Sequence, residues 1–217
     1  FTLPDALDVS ARVVSAPRGD ALPADDVLSV ALPAPKAVRT LLYGGEARGY
    51  LATALSVHPA VELHHTPSDV PPPAGPWDLL VVVERGEAVL PSATHTAVLG
   101  IDGAEWGVPW GAPLSPGPLR GLTGGEGLMR RVDLEGVRQR DGHSLRAPAD
   151  SLVLLSSSAG PLAVSRDADS GAVLVMGVGL VGGDFPLRVD FVHLIANLVE
   201  WADDAGLAAV QTSAHPQ

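Results

Sequence analysis

The amino-acid sequence contains no cysteine. This absence excludes thiol nucleophiles, disulfide bonds and every metal site built from cysteine thiolates. The absence does not indicate a compartment, because a chain without cysteine is compatible with reducing and with oxidising surroundings.

Positively charged residues are also few. The chain has 14 Lys and Arg residues against 25 Asp and Glu residues, which gives a formal net charge of -11. Its isoelectric point lies near 4.9. Such a surface repels the phosphates of nucleic acids and the head groups of anionic lipids. We therefore expect neither as a partner.

Long apolar runs are missing as well. The longest candidate, residues 189–202, is interrupted by Asp190, His193, Asn197 and Glu200, whereas a membrane-spanning helix needs about 20 mostly apolar residues. The chain begins without an initiator methionine and without a signal-peptide pattern. These features predict a soluble fragment of a longer polypeptide that does not itself insert into a membrane.

The residues that are present are typical of a folded protein with many short elements. Hydrophobic residues make up 46% of the chain, and its 24 glycines and 20 prolines are spread along it. Residues 1–35 are predicted to form a β-hairpin, with strands at 11–16 and 27–32 before a break at 33–35. Because so small a hairpin is only marginally stable alone, it must pack on the next part of the chain or belong to a preceding domain.

Residues 36–206 are predicted to form an α/β domain. Strand-like apolar runs occur at 38–43, 60–64, 77–83 and 96–101, and a helical stripe that includes Tyr50 lies between the first two. The third run lacks polar alternation, which is typical of a strand buried on both faces of a parallel sheet. This pattern predicts an open, mainly parallel sheet.

The second half of this domain is predicted to begin with a loop rich in glycine and proline. An antiparallel meander at 151–177 follows this loop, with a hairpin turn at 167–171. A final helix has an apolar stripe that includes Leu187, Leu194 and Leu198. Asp184 is expected to cap this helix and Gly206 to end it, which leaves residues 207–217 as a flexible tail.

Three motifs that carry chemistry in other proteins are interpreted as structural. The glycine pattern at 177–182 follows a strand, but no βαβ unit follows to support a dinucleotide site. The adjacent His64 and His65 point to opposite faces of a strand, so they do not share a metal ion. The serines at 156–158 lack the nucleophile-elbow pattern. We predict no catalytic residue, no metal and no cofactor.

Candidate binding residues lie in loops where strands end. Ligands of open α/β sheets gather at the carboxyl ends of strands, where Gly44 and Gly45 follow the first run and Asp102 follows the fourth. Trp106 and Trp110 stand in the glycine-rich loop, and half-exposed tryptophans supply a large contact area. The alternative is that both tryptophans fold back and cover this edge of the sheet.

Three stretches of the sequence carry a family resemblance. Residues 20–26 are similar to a D-x-L-P-x-D-N turn, with Asp26 in place of the usual asparagine. Residues 128–137 are similar to H-P-L-x-R-x-V-D-L without the His-Pro pair, and residues 184–197 to D-W-P-L-R-x-x-F followed by L-x-N. Together they resemble the C-terminal, class I glutamine amidotransferase-like region of bacterial membrane-anchored von Willebrand factor A proteins of the aerotolerance (Bat-like) type.

The resemblance implies a three-layer, flavodoxin-like sheet that keeps the amidotransferase scaffold without its catalytic cysteine. It also implies that residues 1–35 are the end of a preceding β-sandwich. The parent proteins of this family carry transmembrane helices, so the parent of this chain is expected to be membrane-anchored, with the side of the membrane left open.

These observations predict a non-catalytic domain of a membrane-tethered scaffold that binds protein partners of a membrane-associated complex. One alternative is a small-molecule or peptide sensor that uses the vestigial cleft; another is a hydrolase with an unrecognised nucleophile. A scaffold requires an exposed apolar patch, and a sensor requires a concave pocket with convergent polar groups. A hydrolase requires a nucleophile and a base within hydrogen-bond reach. The oligomeric state is left open.

Overall fold

The structure is a computed structural model. It describes residues 6–12, 27–33, 36–45, 48–125, 127–168 and 171–213. The chain divides into two compact units, Phe1–Lys36 and Ala37–Gln217. This division falls one residue after the boundary expected from the sequence.

The first unit contains one antiparallel pair of strands. β1 (Ala6–Arg12) and β2 (Val27–Pro33) pair in a continuous register. The expectation of a strand at 11–16 was therefore misplaced, because the pairing begins at Ala6; residues 13–16 lie outside the described residues. The period-two alternation of Leu7, Val9 and Ala11 is the sequence signal for the earlier start. A role as the end of a β-sandwich stays a prediction.

The second unit is built on an eight-stranded sheet. Its strands and those of two small ladders are β3 (Val38–Tyr43), β4 (Val61–Thr66), β5 (Trp77–Val82), β6 (Ala93–Leu99), β7 (Trp110–Pro113), β8 (Gly117–Pro118), β9 (Thr123–Gly124), β10 (Arg138–Gln139), β11 (His143–Leu145), β12 (Leu152–Ser157), β13 (Gly160–Ala168) and β14 (Gly171–Met176). The large sheet has the order β4-β3-β5-β6-β14-β13-β12-β9. Neighbours from β4 to β14 are parallel, and those from β14 to β9 are antiparallel.

Two α-helices pack on one face of this sheet. α1 (Arg48–Ser56) connects β3 to β4, and α2 (Val189–Ser213) follows the last strand. Leu51 and Leu55 of α1 and Leu194 and Leu198 of α2 are fully buried in one core cluster with alternate residues of the strands. The large, mixed, mainly parallel sheet with these helices confirms the α/β class. In the described part of the chain, no helix is long and apolar enough to cross a membrane.

The opposite face of the sheet is covered by loops and by the short ladder of β7 and β11. Leu41, Tyr43, Trp77 and Leu80 form a second core cluster there, and Trp106 packs against it. The segments that connect β4 to β5 and β5 to β6 contain no helix. The third layer expected from the family resemblance is therefore made of irregular chain rather than helices.

The start and end of α2 differ from the sequence-based expectation. Asp184 makes no capping hydrogen bond and precedes a short 3-10 helix at Phe185–Leu187, because its carboxylate accepts the N–H of Arg138 and pairs with Arg188. Leu187, assigned to the buried stripe, is 72% exposed. Gly206 does not end the helix, which continues to Ser213. One glycine costs a helix only about 1 kcal/mol. The expected tail thus lies partly in α2, and residues 214–217 lie outside the described residues.

Candidate functional site

The carboxyl ends of β3 and β5 meet at the two predicted glycines. Gly44 has a φ of +134°, and a Cβ added there would lie 2.7 Å from Val83 Cγ2 and 2.8 Å from the backbone nitrogen of Glu84. A Cβ added at Gly45 would collide with the carboxylate of Glu84. These glycines are therefore required by the close approach of the chain after β5, and that segment occupies the space beside them.

Tyr43, the last residue of β3, holds a neighbouring loop. Its buried hydroxyl donates a hydrogen bond to the carbonyl oxygen of Ser68 (2.8 Å). Burial raises the pKa of Tyr43, and the negative charges of Asp69 and Glu84 raise it further. The phenol is therefore protonated near neutral pH and acts as a donor that ties the loop after β4 to the sheet.

A groove of about 540 Å³ lies beside this tyrosine, and its lining is acidic. The lining residues are Ser68, Asp69, Pro71, Gly86, Glu87 and Ala88. No imidazole lines the groove, so the residues described here offer no histidine base to activate Ser68. The carboxylates of Asp69 and Glu87 share this groove with Ser68, and a hydrolytic role for these residues stays a prediction.

Asp102, the third predicted binding residue, organises its own loop. Its Oδ1 atom accepts hydrogen bonds from the backbone N–H groups of Ala104 (3.2 Å) and Trp110 (3.0 Å). An aspartate that binds backbone groups a few residues ahead closes a turn, as in an Asx-turn. The structure thus brings Asp102 and Trp110 together, with one oxygen of the carboxylate bonded to the backbone.

Trp106 and Trp110 both lie against the sheet and are half-buried. Trp106 packs against the second core cluster and against a third cluster on the same face, which includes Val108 and Leu145. Its carbonyl accepts a hydrogen bond from Arg166 (3.4 Å). The Trp110 ring stacks on His143, with ring centroids 3.7 Å apart and planes 6° from parallel. Both rings cover the sheet while part of each stays accessible. Their role in binding a partner stays a prediction.

The glycine pattern at 177–182 packs backbone against backbone. A Cβ at Gly177 or Gly179 would collide with the carbonyl oxygens of His143 and Asp141 respectively, and Val178 forms a β-bridge with Gly142. These glycines let the chain after β14 run directly beside the segment at 139–143. Their positions support the structural interpretation of the pattern.

Polar residues at the start of α2 bind the backbone of the segment at 128–138. Asn197 Nδ2 donates to the carbonyls of Leu128 (3.0 Å) and Arg130 (2.7 Å). His193 Nδ1 lies 2.9 Å from the carbonyl of Arg131, a non-glycine residue with a φ of +62°. These contacts hold a backbone conformation that costs energy in an L-residue.

Two further side chains extend this contact. Asp190 Oδ1 accepts the N–H of Asp133 (3.0 Å), and Arg188 donates to the Gly136 carbonyl (2.8 Å). Desolvation raises the pKa of Asp184, but hydrogen bonds from the Arg188 side chain and the Arg138 N–H outweigh it, so this pKa lies below its usual range. The second and third stretches of the family resemblance thus pack against each other. The sequence analysis included these residues in the family resemblance but did not predict their hydrogen bonds to backbone groups.

A groove beside this contact is lined mainly by polar and charged side chains. It has a volume of about 340 Å³, and its lining includes His58, Arg130, Arg131, His193 and Asn197. His193 and Asn197 already bond to the backbone, and Arg130 pairs with Glu200 at 2.8 Å. These bonds engage part of the polar lining, which also includes Asp203, and a role of the groove as a sensor site stays a prediction.

His95 is the one histidine among the described residues that is fully buried. Its Nδ1 atom has no hydrogen-bond partner, and Trp201 of α2 lies edge-on to its ring at 4.3 Å. Burial lowers the pKa of His95, against the opposing effect of the nearby Asp78. Within the described residues, no group of three His, Asp or Glu side chains could hold a metal ion.

An apolar groove separates α1 from the start of α2. It has a volume of about 540 Å³ and is lined by Gly49, Tyr50, Thr53, Ala54, Val57, Pro186, Phe191 and Val192. Tyr50 is 50% exposed, Val57 74% and Val192 55%. Sequence reasoning placed Tyr50 on a buried stripe. It missed the groove because α1 has only nine residues and leaves this part of α2 uncovered.

The chain matches no family model and no curated protein. Among solved structures it is similar to Cytoplasmic Protein STM1381 from Salmonella typhimurium LT2, with a TM-score of 0.54 and 11% identity over 91% of this chain and 96% of that chain. It is also similar to Cytoplasmic Protein STM3548 from Salmonella typhimurium, with a TM-score of 0.53 and 10% identity over 91% of this chain and 96% of that chain. Likeness at this identity concerns the fold alone, and it agrees with the α/β class.

Proposed function

We propose that this chain is a non-catalytic, amidotransferase-like α/β domain that binds a partner protein through the groove between α1 and α2. The observation that carries this proposal is the exposure of Tyr50, Val57 and Val192 along one apolar groove. Contiguous exposed apolar side chains on a soluble domain mark interaction sites, because their exposure to water is unfavourable.

The order of the parallel strands supports the flavodoxin-like part of the proposal. Numbered along the chain, the parallel strands β3, β4, β5, β6 and β14 lie in the order 2-1-3-4-5, which is the order of flavodoxin-like sheets. The sequence resemblance supports the amidotransferase-like assignment and a membrane-tethered parent. On this basis, the domain serves as the partner-binding part of a larger scaffold.

The carboxyl edge supports the absence of catalysis. The chain has no cysteine, and the turn after β6 contains Gly100, Ile101 and Asp102 rather than a serine nucleophile. Asp102 is bonded to backbone groups, and the exit of β5 fills the space beside Gly44.

The shape of the groove and the net charge of the whole chain indicate the kind of partner. A channel between two helices, lined by apolar side chains, fits the apolar face of an amphipathic helix with anchors at i, i+3 or i+4, and i+7. The net charge of -11 favours a partner helix with Lys or Arg on its polar flanks. We therefore assign the groove to a basic amphipathic helix of a partner protein.

Selection from a display library of helical peptides on the full chain tests this proposal. We expect enrichment of peptides with the apolar spacing and the basic flanks described above. Val57→Asp and Val192→Asp should each weaken binding of a selected peptide about tenfold or more, because a carboxylate would be buried against apolar groups.

Val89→Asp is the matched control, because Val89 is 92% exposed and lies outside the groove; this variant should bind as the unmodified chain does. Equal binding by all three variants would show that the groove is not the binding surface. Hydrolysis of glutamine by the purified chain would contradict the non-catalytic part of the proposal.

A further inference from the structure

Strand β4 forms one edge of the large sheet. Among the residues that the structure describes, no strand pairs with its outer side. β4 pairs with β3 without a bulge from Val61 to Thr66, and it contains neither lysine nor proline. The features that normally protect a sheet edge from pairing with another strand are therefore few in β4.

The register of β3 and β4 shows which backbone groups face outward. The Val38 N–H donates to the Ala60 carbonyl (2.6 Å), and the Gly44 N–H donates to the Thr66 carbonyl (3.1 Å). Bonds in a parallel ladder alternate along each strand, so Glu62, His64 and Thr66 direct their backbone groups toward β3. The N–H groups of Leu63 and His65 and the carbonyl of Val61 point away from the sheet.

The opposite edge of the sheet differs. It is formed by β9, which has only two residues, Thr123 and Gly124, and is followed by Gly125. Gly124 and Gly125 both have positive φ angles, at +105° and +110°. A strand this short, with glycine at its end, offers little template for a further strand, so pairing with another chain is favoured at β4.

The side chains of β4 show a self-complementary pattern. Glu62 and His64 lie on the loop-covered face, with 53% and 46% of their side chains exposed, and His64 Nε2 is 3.4 Å from Glu62 Oε1. Trp77 holds the His64 ring edge-on at 5.2 Å. Leu63 lies on the helical face and is only partly buried.

We propose that two copies of this chain pair through antiparallel β4 strands centred on Leu63. In this register, the Leu63 N–H of each copy donates to the Leu63 carbonyl of the other, and each His65 N–H donates to the Val61 carbonyl of the other copy. Glu62 of one copy lies opposite His64 of the other. This pair is not hydrogen-bonded through the backbone, so its Cα atoms are only about 4.5 Å apart and its side chains meet.

Charge selects this register over its neighbours. A shift of the partner strand by two residues in one direction places the two Glu62 side chains opposite each other, which is unfavourable. The shift in the other direction places the two His64 side chains opposite each other, so neither of them faces Glu62 of the other copy. Only pairing centred on Leu63 sets Glu62 against His64 on one face while Leu63 meets its own copy on the other face.

Substitution of His65 tests the backbone part of the proposal. We expect the full chain to dimerise with increasing concentration in sedimentation velocity. His65→Pro removes an outward N–H without removing a bond to β3, and proline is tolerated on an edge strand whose N–H faces solvent. This variant should raise the dimer Kd about tenfold or more, since two symmetric hydrogen bonds are lost. His65→Thr keeps the N–H and is the matched control.

A charge exchange tests the register. Glu62→Lys should weaken the dimer because it removes the carboxylate that faces His64 of the other copy. His64→Glu should weaken it because it sets two carboxylates opposite each other. The double variant with both substitutions should restore the affinity, since the pair is then reversed. Circular dichroism of every variant shows whether it is folded. A chain that stays monomeric throughout the concentration series overturns the proposal, and so does a dimer that neither His65→Pro nor the charge exchange weakens.

Discussion

The carboxyl edge of the sheet and the groove between α1 and α2 use their side chains in opposite ways. At the edge, Asp102 binds backbone N–H groups, Tyr43 binds a backbone carbonyl, and Trp106 covers apolar residues of the sheet. In the groove, Val57 and Val192 expose most of their apolar surface. Asp102, Tyr43 and Trp106 at the edge are thus engaged by contacts within the chain, whereas the groove between α1 and α2 leaves apolar side chains exposed.

The largest expected effect separates the buried side of α2 from the exposed 3-10 helix that precedes it. Leu198 is fully buried, so Leu198→Ala should lower the free energy of unfolding by about 2 to 5 kcal/mol through lost contacts and a residual cavity. Leu187→Ala, at a residue 72% exposed, is the matched control and should change it by less than about 1 kcal/mol. Denaturant unfolding of both variants measures the difference. Equal losses would mean that the two leucines are packed alike.

The next effect concerns the carboxyl edge. Asp102→Ala leaves the N–H groups of Ala104 and Trp110 without their acceptor, which should lower the free energy of unfolding by about 1 to 3 kcal/mol. Asp102→Asn keeps a side-chain oxygen and should lose less. If the alanine variant unfolds at the same denaturant concentration as the unmodified chain, the edge is not held by Asp102, and this residue is again available to a ligand.

A smaller effect is the pH dependence of the free energy of unfolding that the buried His95 causes. Burial lowers the pKa of His95 below its ordinary value of 6.5. As the pH falls below 6.5, the unfolded chain takes up a proton at this residue while the folded chain does not, so the free energy of unfolding should decrease. The decrease continues until the pH reaches the lower pKa of the folded state.

Unfolding curves between neutral and mildly acidic pH measure this dependence. His95→Gln should have a shallower slope below pH 6.5 than the unmodified chain. His65→Gln, at an exposed position of β4, should keep the slope. An unchanged slope in His95→Gln would assign the dependence to other groups.

The smallest expected effect is on the free energy of unfolding when an exposed valine of the groove is replaced. Val57→Ser and Val192→Ser should change the free energy of unfolding by no more than about 0.5 kcal/mol, because both side chains are mostly exposed. Thermal unfolding measures this directly. A clear loss of stability in either variant would show that the residue belongs to the core, and the contrast between edge and groove would then disappear.

Local patterns predicted many of the elements. The apolar runs of β3, β5 and β6 and the helical stripe with Leu194 and Leu198 were predicted at or near their observed positions, because periodicity follows from the geometry of a strand or a helix. The meander of β12, β13 and β14 was predicted from turn residues in the same way. The position of β1 and both ends of α2 were wrong, since each depends on a pairing partner or on a competing contact.

The candidate site was less predictable. Gly44, Asp102 and Trp106 were placed at the carboxyl edge from their order in the chain, but the parts of the chain that each contacts could not be predicted. Their role in binding stays a prediction. No pattern in the sequence predicted the groove between α1 and α2. Its apolar residues are exposed because α1 is too short to cover the neighbouring surface of α2. A stripe of apolar residues does not show which of its members another helix covers.

By itself, the sequence determined that thiol chemistry is absent, that the chain is strongly acidic, and that strands and helices alternate in its central part. These properties depend on residue types and on local spacing. Only the tertiary structure decided that Asp184 binds Arg138 rather than capping α2, and that Asn197 holds the carbonyls of Leu128 and Arg130. Each of these contacts joins residues far apart in the chain, and the free energy that selects among such contacts depends on the whole packed arrangement.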